Sequence, residues 1–311
     1  MTAPANITDW VKPGDTTGEY RRQTSTFRNS ISRAAGAEFP PAKNRYHLYV
    51  SYACPWAHRT LIARKLKGLQ DVISFTVVHW HLGSGGWRFF EEGEEGGGEE
   101  GAGPDPMPGH GRNESAEILR MFGTEFDDLI AEEYRSVVLV PDTLRTQIDD
   151  TNSWTYDLIN NGVYKSGFAT TAEAYETHVV ALFKALDRAE AQLVSVRSEG
   201  PYYFGRVLTE ADIRLYVTLV RFDVVYVQHF KCNLCDIRSG YPALHRWLRN
   251  LYWKHEAFKT TTQFQHIKWH YTRSHTQINP VSITPLGPVP DLLPCDEEVA
   301  AVRAARGDEG F

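Results

Sequence analysis

The first folded part of the chain alternates apolar and polar residues and then changes to a helical period. Residues 45–50 alternate like a half-buried strand, 55–68 are predicted as a helix, and 72–78 form a second β-rich run. A strand, a helix and a strand in close succession make a βαβ unit, which implies parallel strands and a right-handed crossover. The pattern therefore predicts a small α/β domain over residues 43–126, preceded by a polar N-terminal arm at 1–42.

From about residue 127 the apolar residues recur at helical spacing. Thr170 with Glu173, and Thr209 with Asp212, have the spacing of capping boxes, in which two side chains satisfy free N–H groups at a helix start. An apolar stripe follows each pair and is predicted to be core: Tyr175, Val179, Leu182, Leu186 and Leu193 after the first, and Ile213, Val217, Val220, Val224 and Val227 after the second.

The helical signals continue almost to the end of the chain. Another helix is predicted after Pro242 from its apolar positions, which are Trp247, Leu248, Leu251 and Phe258. An all-helical domain is thus predicted over 127–278, followed by a proline-rich tail at 279–311 with at most a short helix near 297–305. The predicted fold class is an α/β domain followed by an all-α domain.

Residues 91–112 are a low-complexity segment of Glu, Gly and Pro. A segment of this composition cannot bury enough apolar surface to offset the entropy lost on ordering, so a flexible loop is predicted. The glycines are not predicted to bind phosphate, because the acidic neighbours would repel it.

Composition narrows the class of protein. The chain has 311 residues, 42% of them hydrophobic, and eight tryptophans, which fits a globular protein of about two domains. A net charge of −6 argues against nucleic acid as the main partner. Residues 1–35 lack the apolar core of a signal peptide, and no run has the roughly 18 apolar residues of a membrane span. Four unevenly spaced cysteines favour reduced thiols, so we expect a cytoplasmic protein.

The residue that points to chemistry is Cys54, between the first strand and a helix that begins at Pro55. Free N–H groups and the positive end of the helix dipole favour a thiolate there, and thiolates are the form that attacks sulfur. A small buried cysteine is the alternative. The Cys-Pro start after a strand favours a reactive thiol, at the position where a thioredoxin-like fold would carry one.

The residue three positions after Cys54 is Ala57, so the site has no local resolving thiol. Thiol–disulfide exchange would then need a second thiol from solution, for which glutathione is the obvious candidate. The sequence predicts monothiol, glutathione-dependent chemistry.

Two other pairs have the spacing of metal ligands. His79 and His81 alternate along a predicted strand, and Cys232 and Cys235 are two residues apart. Neither pair has the further ligands of a tetrahedral site, so core or hydrogen-bonded roles are favoured and no metal is predicted.

Six motifs are spread along residues 46–280. They are Tyr-His-Leu-Tyr-Val-Ser-Tyr-Ala-Cys-Pro-Trp-Ala-His-Arg-Thr-Leu-Ile at 46–62, Gly-Trp-Arg-Phe at 86–89, Asn-Glu-Ser-Ala-Glu-Ile-Leu-Arg-Met at 113–121, Asn-Asn-Gly-Val-Tyr-Lys-Ser-Gly-Phe-Ala at 160–169, Thr-Glu-Ala-Asp-Ile-Arg-Leu at 209–215 and His-Tyr-Thr-Arg-Ser-His-Thr-Gln-Ile-Asn-Pro at 270–280. In this combination the chain closely resembles the glutathionyl-hydroquinone reductases, the Xi class of the glutathione transferase superfamily.

The resemblance implies a thioredoxin-like N-terminal domain, a helical C-terminal domain and usually a homodimer. It implies that glutathione is the co-substrate and binds beside Cys54, with Trp87 packed on the tripeptide. Glu114 and Ser115 would hold the γ-glutamyl end, where an ammonium attracts a carboxylate and a carboxylate accepts from hydroxyl and N–H donors. An ordinary first helical turn is the alternative for Glu114 and Ser115.

The implied reaction removes glutathione from a glutathionyl-hydroquinone. Cys54 would attack the glutathionyl sulfur and form a mixed disulfide, which a second glutathione would resolve. Tyr164 and Tyr271 match tyrosines that this family places in the hydroquinone pocket, and Tyr134 is a looser match. Tyrosine offers a ring for stacking and a hydroxyl for hydrogen bonding. Taken singly, each of these tyrosines could equally belong to the core.

The chain departs from the family pattern at one place. Family members carry a helix and a strand with a cis-proline between the motifs matched at 86–89 and 113–121, and residues 91–112 stand there instead. We therefore expect a sheet that lacks one strand beside the site. Two hypotheses remain open: a glutathione-dependent reductase, and a non-catalytic ligand-binding or scaffold paralogue.

Overall fold

The N-terminal part of the chain contains a parallel βαβ unit. The structure is a computed structural model that describes residues 10–12, 14–22, 25, 28–105 and 114–295. In it, β1 (His47–Val50) and β2 (Ser74–Val77) pair in parallel, with Val50 opposite Val77. Helix α1 (Pro55–Leu66) connects them. The predicted unit is confirmed, although its elements are two or three residues shorter than predicted, since element ends are the least certain part of such a prediction.

The sheet has only these two strands within the described ranges. This confirms the expected thioredoxin-like domain with an incomplete sheet. On the outer edge of β2, the Val77 N–H donates to the Gly101 carbonyl at 2.8 Å. Trp80 Nε1 donates to the Glu95 carbonyl at 2.9 Å, and the Tyr52 hydroxyl donates to the Glu100 carbonyl at 2.8 Å.

Residues 91–105 thus differ from the flexible loop predicted for 91–112. They form turns whose carbonyl groups accept hydrogen bonds from the sheet region, and Ala102 packs against the apolar cluster around the sheet. Gly101 has a φ of +82°, and a Cβ there would lie 2.7 Å from the Phe75 ring, so the close approach requires glycine. Residues 106–112 lie outside the described residues.

The rest of the described chain is helical, as predicted. Its α-helices are α2 (Ser115–Thr124), α3 (Glu132–Arg135), α4 (Arg145–Thr155), α5 (Gly162–Gly167), α6 (Ala172–Ser195), α7 (Glu210–Leu219), α8 (Ile237–Gly240), α9 (Pro242–Lys254), α10 (Glu256–Lys259) and α11 (Phe264–Ser274). Two π-helical turns interrupt the regular pattern, Tyr156–Asn160 between α4 and α5 and Phe222–Tyr226 after α7. Such turns are frequent at functional sites.

The helix starts follow local side-chain chemistry. The capping box of Thr209 and Asp212 at the start of α7 is confirmed. The one predicted at Thr170 is wrong by one residue: the side chain of Thr171 accepts from the Ala174 N–H at 3.3 Å. The Thr170 N–H instead donates to the Gly18 carbonyl of the N-terminal arm at 3.0 Å. The Thr171 hydroxyl also donates to the Thr17 carbonyl at 3.1 Å, so the arm bonds both threonines at this helix start.

One apolar core runs through both parts of the chain. It joins Ile62 of α1 to the predicted stripes of α6 and α7 and to Tyr271 of α11. The arm contributes Tyr20 to this core, and Trp10 stacks on Phe168 with ring centroids 4.6 Å apart. Since the core is continuous, the domain boundaries at 42, 126 and 278 stay predictions. The short helix predicted near 297–305 lies outside the described residues, and no helix in the described part is long and apolar enough to cross a membrane.

Candidate active site

Cys54 occupies the N-cap of α1, at the predicted place. Its backbone is extended, its carbonyl accepts from the His58 N–H at 3.0 Å, and its side chain makes no capping hydrogen bond. The first turn of α1 has no acidic residue to oppose a negative charge. Cys54 is partly exposed, and it is a free thiol like Cys232, Cys235 and Cys295. The thiol is therefore accessible and lies at the positive end of a helix dipole.

Three tyrosine hydroxyls form a row near this thiol. The Tyr164 and Tyr271 oxygens are 2.6 Å apart, and the Tyr271 and Tyr226 oxygens are 3.0 Å apart. Burial raises the pKa of Tyr164 and Tyr271 well above the usual value and that of Tyr226 to about 12. The charge of the nearby Cys54 also raises the pKa of Tyr164. The three phenols therefore keep their protons at neutral pH and can donate hydrogen bonds.

Sequence reasoning missed Tyr226. It falls inside the stripe of valines that was interpreted only as core, and nothing local distinguishes it. Because Tyr226 lies in the π-helical turn Phe222–Tyr226, its hydroxyl reaches Tyr271 of α11. A helical period of 3.6 residues would not predict this contact.

An aromatic and cationic cluster adjoins the thiol. The guanidinium groups of Arg22 and Arg59 lie 4.3 and 4.5 Å from the ring centroid of Trp56, the second residue of α1. Arg22 donates to Asn161 Oδ1 at 2.7 Å, and Arg59 donates to Asn160 Oδ1 at 2.8 Å. The cluster brings two guanidinium groups to Trp56, two residues after Cys54, and one of them, Arg59, is buried. Trp56 belongs to the quoted motif at 46–62, whereas nothing in the polar arm pointed to Arg22.

Buried Arg221 holds the turn that leads into Cys54. Its Nε donates to the Ala53 carbonyl and its Nη2 to the Tyr52 carbonyl, each at 3.1 Å. Its Nη1 lies 3.1 Å from His58 Nδ1 on α1. Sequence reasoning also missed this residue, because it is separated from Cys54 by most of the helical domain.

The residues predicted to bind glutathione lie in this region on separate elements. Trp87 is 38% exposed, and its ring lies 5.0 Å from that of His270, the neighbour of Tyr271. Glu114 is the N-cap of α2 and accepts from the Ala116 N–H at 3.1 Å, as an ordinary helix start would. Its negative charge also acts on buried Arg59, whose pKa is lowered by burial and by Arg214 but raised by Glu114.

Ser115 and Tyr134 occupy different surroundings. Ser115 is the first residue of α2, which packs against α1. Tyr134 packs against Gly68, where an added Cβ would overlap the Tyr134 ring. Gly68 follows the C-terminal end of α1, about 20 Å from Cys54 at the 1.5 Å rise of an α-helix. The fold of this chain thus brings Tyr164 and Tyr271 together but leaves Tyr134 apart from them.

The two pairs with metal-ligand spacing have ordinary surroundings. His79 Nδ1 accepts from the backbone N–H of His81 at 3.0 Å. Cys232 is buried, which raises the pKa of its thiol. Within the described ranges no group of three or more His, Cys, Asp and Glu side chains could hold a metal ion.

Comparison with known proteins agrees with this arrangement. The family described as glutathione S-transferase, C-terminal domain, matches residues 172–250. The chain is 52% identical to the glutathione S-transferase omega-like 2 protein of Schizosaccharomyces pombe over 319 positions, covering 92% of this chain and 98% of that protein. It is 43% identical to the glutathionyl-hydroquinone reductase YqjG of Escherichia coli, covering 91% and 93%.

A solved structure extends the likeness to three dimensions. The Xi glutathione transferase of Saccharomyces cerevisiae, crystallised in complex with glutathione, is 44% identical, with a TM-score of 0.82 over 89% of this chain and 99% of that one. The chain belongs to the Xi class of the glutathione transferase family.

Proposed function

We propose that this protein is a glutathione-dependent reductase that removes glutathione from glutathionyl-hydroquinones through Cys54. The observation that carries the proposal is that Tyr164 lies near an accessible helix-terminal thiol and is bonded to further tyrosines. Its ring is 6.5 Å from that of Trp56, two residues after Cys54, and the Cys54 charge raises its pKa. The hydroxyls of Tyr164, Tyr271 and Tyr226 form a hydrogen-bonded row. A thiol alone would serve many disulfide exchanges. A thiol beside a row of neutral phenols suits a substrate that has both a thioether sulfur and ring hydroxyls.

The reaction balances in two steps. In the first, the Cys54 thiolate attacks the sulfur that joins glutathione to the ring, so that an S–S bond forms while the C–S bond breaks. The ring carbon takes the electron pair and a proton, and the hydroquinone leaves. In the second, a glutathione thiolate attacks the glutathionyl sulfur of the mixed disulfide, which frees Cys54 and yields oxidised glutathione. The ring carbon is reduced, and the two glutathione sulfurs are oxidised.

The tyrosines have two tasks in this scheme. Tyr164 and Tyr271 would bond the ring hydroxyls, with Tyr226 behind them. The proton for the ring carbon would come from a phenol or from water in the pocket. Tyr134 has no contact in the described chain that would assist, and we assign it no task.

Glutathione would lie between α1 and α2. Trp87 would pack on the tripeptide, and Glu114 and Ser115 would hold its γ-glutamyl end. The Arg22 and Arg59 cluster at Trp56 adds positive charge that suits the two carboxylates of glutathione. A homodimer in the cytoplasm is part of the same proposal.

Turnover of glutathionyl-menadiol with excess glutathione tests the proposal. Release of menadiol together with oxidised glutathione is expected, and Cys54→Ser should abolish both. Cys235→Ser is the matched control, because it changes another partly exposed free thiol away from α1. A folded protein that binds glutathione but releases no menadiol would contradict the proposal and favour the non-catalytic ligand-binding paralogue.

A further inference from the structure

Arg221 is a buried cation without a carboxylate partner in the described chain. Its side chain is 0% exposed, and none of the ion pairs between described residues includes it. Two buried lysines show the usual arrangement: Lys67 pairs with Asp127 at 3.0 Å and Lys268 with Asp291 at 2.5 Å. Arg59 and Arg64 are likewise buried without an ion pair, but carboxylates act on both: Glu114 raises the pKa of Arg59, and Glu100 and Asp71 raise that of Arg64, against the larger effect of burial. Since a buried charge is costly unless it is compensated, the absence of an anion beside Arg221 requires an explanation.

The guanidinium is bonded to the turn that leads directly into Cys54. Its donors go to the carbonyl groups of Tyr52 and Ala53, the two residues before Cys54, and to the Val217 carbonyl at 2.6 Å. These are neutral acceptors that fix its position but do not cancel its charge. Its positive field therefore extends through the Ala53–Cys54 peptide into the pocket.

The same charge reaches the tyrosine row. It lowers the pKa of Tyr226 and Tyr271 against the larger effect of burial, which raises them. The π-helical turn explains how one element provides both the Arg221 guanidinium and the Tyr226 hydroxyl. In an α-helix, residues five apart point about 140° away from each other, whereas the i to i+5 bonding of a π-turn brings Arg221 and Tyr226 onto one side.

We propose that Arg221 is a positioning residue that supplies the buried counter-charge for the anions formed in this pocket, the Cys54 thiolate and the phenolate oxygens of a bound hydroquinone. The inference deepens the proposed function and rests on it for the second anion. The first anion, the thiolate, can be tested without glutathione or a quinol.

The other titratable groups that face Arg221 do not change charge near neutral pH. They are His58 from α1, Tyr216 from α7, Tyr226 from the π-turn, and His270 and Tyr271 from α11. Burial lowers the pKa of His58 well below its usual value and that of His270 to about 3. A pH profile of thiol reactivity between 5 and 9 should therefore report Cys54 itself.

The test is the rate of alkylation of Cys54 by iodoacetamide against pH, followed by mass spectrometry of the Cys54 peptide. Arg221→Met removes the charge, and Arg221→Lys keeps it. Arg64→Met is the matched control, since Arg64 is also a buried arginine that donates to backbone carbonyls, those of Ile73 and Gln70, near the opposite end of α1. Circular dichroism and thermal melting establish that each variant is folded.

We expect Arg221→Met to lower the rate at pH 7 about tenfold and to move the profile about one unit to higher pH. Arg221→Lys should stay within about threefold of the native rate, and Arg64→Met should match the native profile. An unchanged profile in folded Arg221→Met would overturn the inference, as would equal shifts in the Lys and Met variants, which would indicate a purely structural role. If the Met variant does not fold, Arg221→Gln replaces it under the same criteria.

The outcome is separable from that of the proposed function. If alkylation of Cys54 depends on Arg221 but the native protein releases no menadiol, the counter-charge inference stands and the reductase proposal is rejected. If the native protein releases menadiol but alkylation of Cys54 does not depend on Arg221, the reductase proposal stands and the counter-charge inference is rejected.

Discussion

The hydroxyl oxygens of Tyr164 and Tyr271 lie 2.6 Å apart in the fold, although 107 positions separate the two residues in the chain. Tyr164 belongs to α5 and Tyr271 to α11, so the pair forms only when these helices meet. Both side chains are buried, and each hydroxyl satisfies the other. The contact therefore serves the stability of the core and also fixes the positions of the two hydroxyls that the proposed reaction uses.

Removing either hydroxyl should affect activity and stability together. Tyr164→Phe and Tyr271→Phe are each expected to lower kcat/KM for glutathionyl-menadiol about tenfold or more, because a hydrogen bond to the ring hydroxyls is lost. Tyr271→Phe should also cost the larger free energy of unfolding, about 1–3 kcal/mol, because the Tyr271 hydroxyl is bonded to those of both Tyr164 and Tyr226. Steady-state kinetics and urea unfolding measure these effects.

Tyr134→Phe is the control for this pair. Its ring packs on Gly68 at the far end of α1, so the substitution should leave kcat/KM unchanged. A loss of turnover in Tyr134→Phe as large as in Tyr164→Phe would contradict the assignment of the pocket to α5 and α11.

The missing resolving thiol can be supplied by substitution. Ala57 is partly exposed one turn into α1, so Ala57→Cys creates a dithiol site with Cys54. We expect oxidised glutathione to convert this variant to an internal disulfide between Cys54 and the introduced thiol, whereas the native chain should accumulate a glutathione adduct on Cys54. Intact-mass spectrometry distinguishes the two products. A persistent adduct in the variant would show that the second thiol cannot reach the mixed disulfide.

Asp212 should be one of the most sensitive positions for stability. The carboxylate is buried and accepts from Trp247 Nε1 at 2.9 Å and from the backbone N–H groups of Thr209 and Tyr203. Asp212→Ala would leave these buried donors unpaired, so we expect a loss of about 3 kcal/mol or more in urea unfolding. Asp142→Ala, at an exposed ion pair with Arg145, should change stability by less than about 0.5 kcal/mol. Similar losses in both variants would refute this interpretation.

Buried histidines should make the fold sensitive to acid. Burial lowers the pKa of His229 and His266 to about 4 and that of His270 to about 3. Below the unfolded value near 6.5, the unfolded chain binds more protons than the folded one, so stability falls as the pH decreases towards 4. Each residue should contribute roughly 1–2 kcal/mol of loss between pH 7 and pH 5.

Urea unfolding at several pH values measures this slope. His229→Gln should flatten it, because the amide can still bond His275 but does not titrate. A stability that does not change between pH 7 and pH 5 would argue against neutral histidines at these positions.

The sequence by itself determined the features that depend on near neighbours. The βαβ unit, Cys54 at a helix start, the cap at Thr209 and the core stripes all follow from turn chemistry and periodicity within a few residues. The motifs shared with the Xi class predicted that Tyr164 and Tyr271 share one pocket, and the fold brings their hydroxyls together. Periodicity alone would have assigned both residues to the core.

Only the tertiary structure decided what depends on the docking of distant elements. Arg22 of the arm contacts Trp56, and Arg221, after the end of α7, bonds the Ala53 carbonyl beside Cys54. Tyr226 bonds Tyr271 from within a π-turn. The carbonyl groups of residues 91–105 bond the sheet region despite their composition. The energies of these contacts come from side chains and backbone groups that meet only after α1, α7 and α11 have packed, so no local pattern in the chain encodes them.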